Sequence, residues 1–251
     1  MDNCKILLFA RIMLAAILMY SLTSVTRADE VKMTFTVSSP PYFIAKTKRG
    51  IEVDIIREAL AVHGHTLKPY FVPPKRVLFD FKLGKVDAAS KDHAEDTSEI
   101  KAFRGDIYVY FHDAFISLEE NDLRIVDPSD LSILRVMAFQ TATNLYPKWL
   151  NGVKDGVNYS ETSDQTNQLK KLHTGRTDIL LGDQIIMRYL SKLIAQETKI
   201  KLKPVRITQF TKPWGYGPLF RSSKLRDQFN DGLRKLRLSG RYQEIIDSYV
   251  Y

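Results

Sequence analysis

The fold is decided by residues 33–62, MTFTVSSPPYFIAKTKRGIEVDIIREALAV, where one hydrophobic repeat gives way to another. Over residues 33–39 apolar and polar side chains alternate, which is the period of a half-buried strand, and Pro40-Pro41 then stops it. After a loop that closes at Gly50, apolar residues recur at helical spacing over residues 51–62. A strand, a loop and a helix in this order predict an α/β protein.

The same alternation continues downstream. Residues 66–72 predict a second strand, and the prolines that follow can begin a helix whose apolar stripe includes Phe81 and Leu83. That helix runs through LGKVDAAS (83–90) into a short buried strand, and LKKLHTGRTDILLGD (169–183) repeats the pattern. One such unit in each of two lobes would account for the repetition, although a helix, a glycine and a strand also form a common α/β connection.

The boundaries between the two units are short. A turn-rich stretch, residues 119–130, separates them, and KPWGYGP (212–218) interrupts regular structure before two closing helices. The sequence has no low-complexity linker, so two lobes joined by short crossovers fit better than two independent domains. We predict that residues 29–118 and 215–251 form the first lobe and that residues 119–214 form the second.

The N-terminal stretch predicts export. Lys5 and Arg11 precede an apolar run at residues 12–22, and polar and small residues follow it up to Ala28. The run is shorter than the roughly 20 residues that a membrane-spanning helix needs. We therefore predict a signal peptide, residues 1–28, that is removed on export to the periplasm; the alternative is an uncleaved anchor.

Composition excludes several function classes. The single cysteine, Cys4, precedes the apolar run, so the exported chain would contain no disulfide, thiolate metal site or cysteine nucleophile. The formal charge is +8, and loss of the signal peptide, with three basic residues and one acidic residue, would leave about +6. Basic residues are spread along the chain without a run of five, which favours a solvated surface over a nucleic-acid site.

Motifs for catalysis are also missing from the sequence. The histidines do not have metalloprotease spacing, and the chain contains neither a glycine-rich phosphate loop nor a Gly-x-Ser-x-Gly elbow. The pair His63 and His65 could touch a metal ion, but two such residues on a turn usually lie at the surface. We therefore expect a protein that is not an enzyme and that uses no metal ion and no cofactor.

Ordered blocks of sequence carry a resemblance to a known family. They are PPYFIAKTKRGIEVDIIREAL (40–60), LGKVDAAS (83–90), DPSDLSILRVMAFQTAT (127–143), LHTGRTDILLGD (172–183) and LRDQFNDGLRKLRLSGRYQEIIDSYV (225–250). In this order they resemble the family-3 extracellular solute-binding proteins, the amino-acid-binding type of periplasmic receptor. The resemblance implies a two-lobed, type II periplasmic-binding-protein fold. It also implies a monomer that binds a small polar ligand in the cleft and delivers it to the permease of an ABC transporter.

The first lobe departs from the family's pattern. After the LGKVD strand the family has a threonine and, three residues later, an arginine that grips the ligand's α-carboxylate; this chain has Thr97 and then Ile100. Isoleucine cannot pair with an anion. We expect either a substitute cation, Arg76 or Lys91, or a ligand other than a standard α-amino acid. Ser90, beside Lys91, is a further candidate contact.

The resemblance assigns other ligand contacts, each with a structural alternative. Thr141 and Thr143 would bind the ligand's acidic group, or they only cap a helix. Asp183 would hold an ammonium through charge-assisted hydrogen bonds, or it also only caps a helix. Tyr42 would stack on the ligand or face a cation, or it packs near the hinge. Trp214 would contact the ligand, or it buries a crossover.

Two other functions remain open on the same architecture. A sensory module would present the closed form to a chemoreceptor or a sensor kinase rather than to a permease. A periplasmic enzyme similar to cyclohexadienyl dehydratase would turn over its ligand.

Overall fold

Two five-stranded sheets organise the residues that the computed structural model describes, which are 29–37, 39–91 and 100–251. The strands are β1 (Glu30–Thr36), β2 (Thr66–Val72), β3 (Ala88–Ala89), β4 (Phe103–Arg104), β5 (Val109–Phe111), β6 (Asp113–Leu118), β7 (Val136–Phe139), β8 (Tyr159–Thr162), β9 (Ile179–Asp183), β10 (Val205–Gln209), β11 (Trp214–Tyr216) and β12 (Leu219–Phe220). The helices are α1 (Ile51–Ala61), α2 (Pro74–Lys82), α3 (Ala142–Leu145), α4 (Pro147–Leu150), α5 (Gln165–His173), α6 (Gln184–Glu197), α7 (Ser223–Leu238) and α8 (Arg241–Val250). The predicted signal peptide and Thr97 lie outside the described residues.

The first sheet has the strand order β2-β1-β3-β12-β4. β1 runs parallel to β2 and to β3, and β12 returns antiparallel to β3 from the end of the chain. Successive residues of β1 from Met33 to Thr36 are buried, as expected for a strand that is covered on both faces. The strand ends at Thr36, earlier than the predicted Ser39. Leu83, which we predicted on the apolar stripe of α2, follows that helix and is 55% exposed.

Helices α1 and α7 cover the first sheet and pack closely on each other. Their contact requires a glycine, because a Cβ atom at Gly232 would lie 2.0 Å from the carbonyl oxygen of Ala59. Backbone atoms cannot withdraw from such a clash as the end of a flexible side chain can. The C-terminal segment is therefore tied to the first strand–helix unit, as the predicted return of residues 215–251 to the first lobe requires.

The second sheet has the strand order β10-β6-β9-β7-β8. β7 is parallel to β8 and β9, whereas β6 is antiparallel to β9 and β10. The predicted lobe boundary after residue 118 assigned β6 to the first lobe, but β6 pairs entirely within the second sheet. The reason is that β6 begins after a single residue, His112, at the end of β5, so the crossover is shorter than the sequence suggested.

Strands β5 and β11 form a separate antiparallel pair between the two sheets, with Phe111 opposite Trp214. One cluster of buried apolar side chains extends through this region, since it includes Phe35 of β1 and Leu180 of β9 as well as Ile56 of α1 and Ile186 of α6. Among the described helices, none combines the length and the hydrophobicity of a membrane-spanning segment. The two sheets thus share an apolar core beside a two-stranded connection.

Candidate functional site at the junction of the two sheets

The carboxyl ends of β1 and β9 meet where the two sheets approach each other. Tyr42, which follows β1, is fully buried, and its hydroxyl donates a hydrogen bond to Asp183 Oδ1 at 3.0 Å. Asp183 is the last residue of β9. The strands parallel to them end at the same two edges: β2 and β3 on either side of β1, and β7, which pairs with β9, followed by β8. Ligands of open α/β sheets bind outside the carboxyl ends of strands, so this junction is the candidate site.

Tyr42 packs against the two-stranded connection. Its ring stacks on Phe111 of β5, with the ring centroids 4.1 Å apart, and Phe111 meets Tyr216 of β11 edge to face. Burial, together with the negative charge of Asp183, raises the pKa of Tyr42 well above its usual value. Tyr42 therefore stays protonated and donates to Asp183, which corresponds to the hinge-packing alternative for this residue.

Lys91 lies in a box of aromatic rings at the first-sheet edge. Its Nζ atom is 4.9 Å from the ring centroids of Phe43 and Phe111 and 4.8 Å from that of Tyr216. The same ammonium is 3.3 Å from Glu52 Oε1, and the two side chains are 7% and 0% exposed. Ring faces attract cations, and the carboxylate neutralises the charge. The ammonium of Lys91 is thus already matched by groups of the protein itself.

The partners of this ion pair are as deeply buried as the pair. The hydroxyl of Tyr108 donates to the carboxylate of Glu52, and burial raises the pKa of Tyr108 well above its usual value.

Ser90 precedes Lys91 and is also fully buried, but its hydroxyl has no hydrogen-bond partner in the described part of the chain. An unpaired buried hydroxyl costs free energy, so Ser90 is a group that a ligand could satisfy.

Asp183 serves several donors at once. Besides the Tyr42 hydroxyl, its carboxylate accepts the backbone N–H of His112 at 2.7 Å and that of Ile186 at 2.9 Å. The second of these bonds caps the N-terminus of α6, as the structural alternative anticipated. Burial raises the pKa of Asp183, while the hydrogen bonds that it accepts oppose this rise.

Thr141 and Thr143 follow β7 and point their donors at an acid of the protein. The backbone N–H groups of Thr141 and Thr143 donate to Glu161 at 2.7 and 2.8 Å, and the Thr143 hydroxyl donates at 2.9 Å. Tyr159 donates its hydroxyl to the same carboxylate at 2.9 Å. Partial burial would raise the pKa of Glu161, but these hydrogen bonds outweigh it and lower the pKa. A carboxylate of the second sheet therefore fills the place predicted for the ligand's acidic group.

A further acid lies next to Asp183 on the neighbouring strand. Asp113 is the register partner of Asp183, and its carboxylate accepts the hydroxyl of Tyr146 at 2.6 Å. Trp214, 48% exposed, donates its indole N–H to that hydroxyl at 3.0 Å. Burial raises the pKa of Asp113 to about 6, and the nearby charge of Asp183 acts in the same direction. Trp214 thus links β11 to the second sheet through Tyr146.

Arg76 is separate from the aromatic box. It lies in α2, its side chain is 54% exposed, and its guanidinium contacts both carboxylate oxygens of Asp80 at 3.1 Å. Ile100 packs against the apolar cluster formed by Val77, Phe81 and their neighbours. Neither Arg76 nor Ile100 therefore belongs to the group of residues that surrounds Lys91.

A small cavity opens between the two lobes. It has a volume of about 230 Å³, and its lining includes Ser39 and Pro40 from the first lobe and Asp164, Gln165 and Ile186 from the second. In the residues that the structure describes, no group of three or more His, Cys, Asp or Glu side chains could hold a metal ion. The groups present at the junction are those that form hydrogen bonds and ion pairs with small polar molecules.

Sequence reasoning missed the acids that satisfy the predicted contacts. Glu52 is in the first turn of α1, where an acidic side chain usually lies in solvent and interacts favourably with the helix dipole. Glu161 and Asp113 are single acids in short strands, and no motif marks them. The one available signal for Glu161 is a charged residue within a strand of the second lobe. Its donors, Thr141 and Thr143, follow a different strand, so sequence spacing could not identify them.

Comparison with known proteins supports the architecture. No family model and no curated protein matches the chain. Among solved structures, it is similar to a polar amino acid ABC uptake transporter substrate binding protein from Streptococcus thermophilus, with 17% identity, coverage of 91% of this chain and 92% of that one, and a TM-score of 0.68. Substrate binding domain 2 of GlnP from Lactococcus lactis, in an open conformation, is 23% identical, with coverage of 89% and 96% and a TM-score of 0.62.

A protein of another kind shares the same architecture. A histidine kinase sensor domain with similarity to periplasmic binding proteins is 16% identical, with coverage of 89% of this chain and 96% of that one and a TM-score of 0.60. Because these similarities extend over nearly the whole of each chain, the protein has the two-lobed α/β fold of the periplasmic binding proteins.

Proposed function

We propose that this protein is a solute-binding protein that closes its two lobes around a small polar ligand, an amino acid or a related compound. The observation that carries the proposal is the convergence of buried polar side chains from both sheets on one junction. There Tyr42 and Asp183 join the two edges, and Ser90 has a buried hydroxyl without a partner among the described residues. A ligand that bridges the edges would satisfy this hydroxyl and hold the lobes together.

The two-stranded connection suits a hinge. Strands β5 and β11 are the paired crossovers, and His112 alone separates β5 from β6 of the second lobe. Rotation about such a pair moves each sheet as a unit, as in hinge closure around ligands. The Tyr42–Asp183 hydrogen bond crosses the junction, so opening breaks it and closing restores it. The ligand shifts this equilibrium because it contacts both lobes in the closed form.

The biological setting is part of the same proposal. Residues 1–28 act as a signal peptide, the exported protein is a monomer in the periplasm, and its closed form docks on the permease of an ABC transporter. The first lobe comprises residues 29 to about 112 with 215–251, a boundary moved from residue 118 because β6 belongs to the second sheet. Support comes from the fold, and from the transporter proteins that share it.

A ligand screen tests the proposal directly. Purified protein is heated with single amino acids, amines, opines, small peptides and organic acids, and the midpoint of unfolding is recorded. A true ligand at 100 times its dissociation constant stabilises the folded state by about 2.7 kcal/mol, which is a shift of several degrees. If none of these classes raises the midpoint, the proposal is wrong.

The variant Ser90→Ala connects the screen to the junction. Because the Ser90 hydroxyl makes no internal hydrogen bond among the described residues, its removal leaves the unfolding midpoint of the free protein nearly unchanged. Loss of one hydrogen bond to the ligand weakens binding by about 0.5 to 1.5 kcal/mol, roughly 2- to 12-fold. The control is Ser191→Ala, whose hydroxyl bonds within α6 to the Met187 carbonyl. Equal affinity in both variants would place the ligand elsewhere.

Sensing is a second candidate, because a histidine kinase sensor domain shares this architecture. Both functions use a ligand-closed form, so the distinction depends on the protein that recognises it. Capture with ligand-loaded protein as bait, followed by identification of the retained membrane protein, separates them: a permease supports transport, and a kinase or chemoreceptor supports sensing.

A further inference from the structure

We infer that the ligand carries an ammonium group but no carboxylate, and that Glu161 is the residue that sets this specificity. The inference rests on the proposed function and names its substrate class. It depends on two kinds of observation: the groups that could bind a ligand carboxylate are already bound within the protein, and the groups that remain suit a cation.

The donors of the second lobe are saturated by Glu161. Thr141 and Thr143 contribute two backbone N–H groups and one hydroxyl, and Tyr159 contributes another hydroxyl, all at 2.7 to 2.9 Å from the carboxylate. A ligand carboxylate could reach these donors by displacing Glu161, which would lose the same bonds that the ligand gains. Without displacement, it would lie beside a like charge, which is unfavourable.

The candidate cations of the first lobe are matched as well. Lys91 is paired with Glu52 in a buried environment, and Arg76 holds both oxygens of Asp80. Ile100, in place of the expected arginine, packs in an apolar cluster. To bind an anion, Lys91 would have to leave Glu52, whose carboxylate is completely buried. An unpaired charge at that depth is strongly unfavourable.

The junction nevertheless offers binding capacity to an ammonium. Within the described residues, Glu161 Oε2 accepts one hydrogen bond, from the Thr141 N–H, so an ammonium N–H can use the second lone pair of this oxygen. Asp183, the last residue of β9, and Asp113, the first residue of the antiparallel strand β6, lie opposite each other at the same edge of the second sheet. Ser90, across the junction, has a fully buried hydroxyl without a partner in the part of the chain that the structure describes. Its lone pairs can also accept an ammonium N–H.

The aromatic box at the first-sheet edge surrounds an ammonium group of the protein itself, that of Lys91. The rings of Phe43, Phe111 and Tyr216 surround Lys91 Nζ at 4.8 to 4.9 Å. Since Glu52 balances that charge, Lys91 does not cancel the negative charge of Glu161 on the other edge. Amines that resemble decarboxylated amino acids therefore fit the charges of the junction better than the amino acids themselves.

Matched pairs of compounds test this inference. Isothermal titration is performed on the purified protein with agmatine against arginine, cadaverine against lysine, tyramine against tyrosine and histamine against histidine. Within the pair whose side chain fits, we expect the amine to bind at least tenfold more tightly than the amino acid. An amino acid that binds as tightly as its amine overturns the inference and leaves the proposed function intact. A protein that binds neither class overturns the inference, and a failed broader screen would overturn the proposed function separately.

The role of Glu161 is tested by Glu161→Gln, which keeps the shape of the side chain and removes its charge. We expect amine affinity to fall at least tenfold and the preference over the matched amino acid to shrink. The control Glu197→Gln, at the exposed end of α6, should change affinity less than twofold. Thermal melting of both variants verifies folding. If Glu161→Gln binds the amine as the wild type does, Glu161 does not determine specificity.

Discussion

Each of the two facing sheet edges carries a charged side chain that groups of the protein itself stabilise, but the stabilising groups differ between the two edges. At the first-lobe edge, Lys91 and Glu52 are a pair of opposite side chains, almost completely buried among aromatic rings. At the second-lobe edge, Glu161 is partly exposed and held by backbone N–H groups and hydroxyls.

This difference separates stability from specificity. Removing one member of a buried ion pair leaves the other charge without water or a partner, so the replacement of either residue alone strongly destabilises the fold. Backbone N–H groups remain when the side chain of Glu161 is replaced, and at a partly exposed edge water can accept the hydrogen bonds that the carboxylate accepted. We therefore expect the first-lobe edge to act as a structural anchor and the second-lobe edge to be where ligand preference is set.

The largest effect is expected from Lys91→Met, which keeps the length of the side chain and removes the charge. Glu52 is then buried without its cation, and the free energy of unfolding should fall by about 3 to 5 kcal/mol, as measured by urea denaturation. The double variant Lys91→Met with Glu52→Gln is the control, because it removes both charges. The anchor interpretation fails if the double variant is no more stable than the single one.

The next largest effects are expected at two glycines, one in each lobe, where an added Cβ atom would meet backbone in one case and a flexible side chain in the other. In Gly232→Ala the new Cβ meets the Ala59 carbonyl oxygen at 2.0 Å, and a loss of about 3 kcal/mol is expected because two helix backbones must separate. In Gly182→Ala the nearest atom, at 2.6 Å, is the terminal methyl of Met187, which can rotate away. That variant should lose about 1 kcal/mol or less. Equal losses in urea denaturation would contradict this ranking.

The acids of the second-lobe edge should give stability a pH dependence. Because burial raises the pKa of Asp113 to about 6 from an unfolded value of 3.8, the folded state binds more protons between these values. Its contribution is present at low pH and declines by about 2 kcal/mol from pH 4 to pH 6. Asp113→Asn should remove this decline from the wild-type profile of unfolding free energy. An unchanged difference between the two proteins across this range would show that Asp113 does not titrate there.

The smallest effect is expected for the exposed cation of the first lobe. In Arg76→Ala an ion pair with Asp80 is lost at a position where Arg76 is 54% exposed, so the free energy of unfolding should change by less than about 1 kcal/mol. Ligand affinity should stay within twofold, in contrast to Glu161→Gln. A loss of ligand binding in Arg76→Ala would instead make Arg76 a cation that contacts the ligand.

Much of the fold could be predicted because it depends on local patterns. The helix that starts at Ile51 and the strand from Thr66 to Val72 have the predicted bounds within one residue, since their apolar periods and the flanking glycine and prolines act over a few positions. The lobe boundary was misplaced by one strand, because a buried strand has the same local pattern in either sheet. Partner choice there depends on the length of the crossover at His112.

The candidate site divides in the same way. The sequence alone shows that Ile100 cannot bind an anion and that Tyr42, Ser90 and Asp183 lie at or after the ends of strands, where parallel sheets bring side chains to one edge. The pairing of Lys91 with Glu52, and of Glu161 with the donors of Thr141 and Thr143, depends on the folded arrangement of both sheets. The physical reason is range: strand and helix periods are set by neighbours in sequence, whereas the pairing of charges depends on which strand ends the sheets place next to each other.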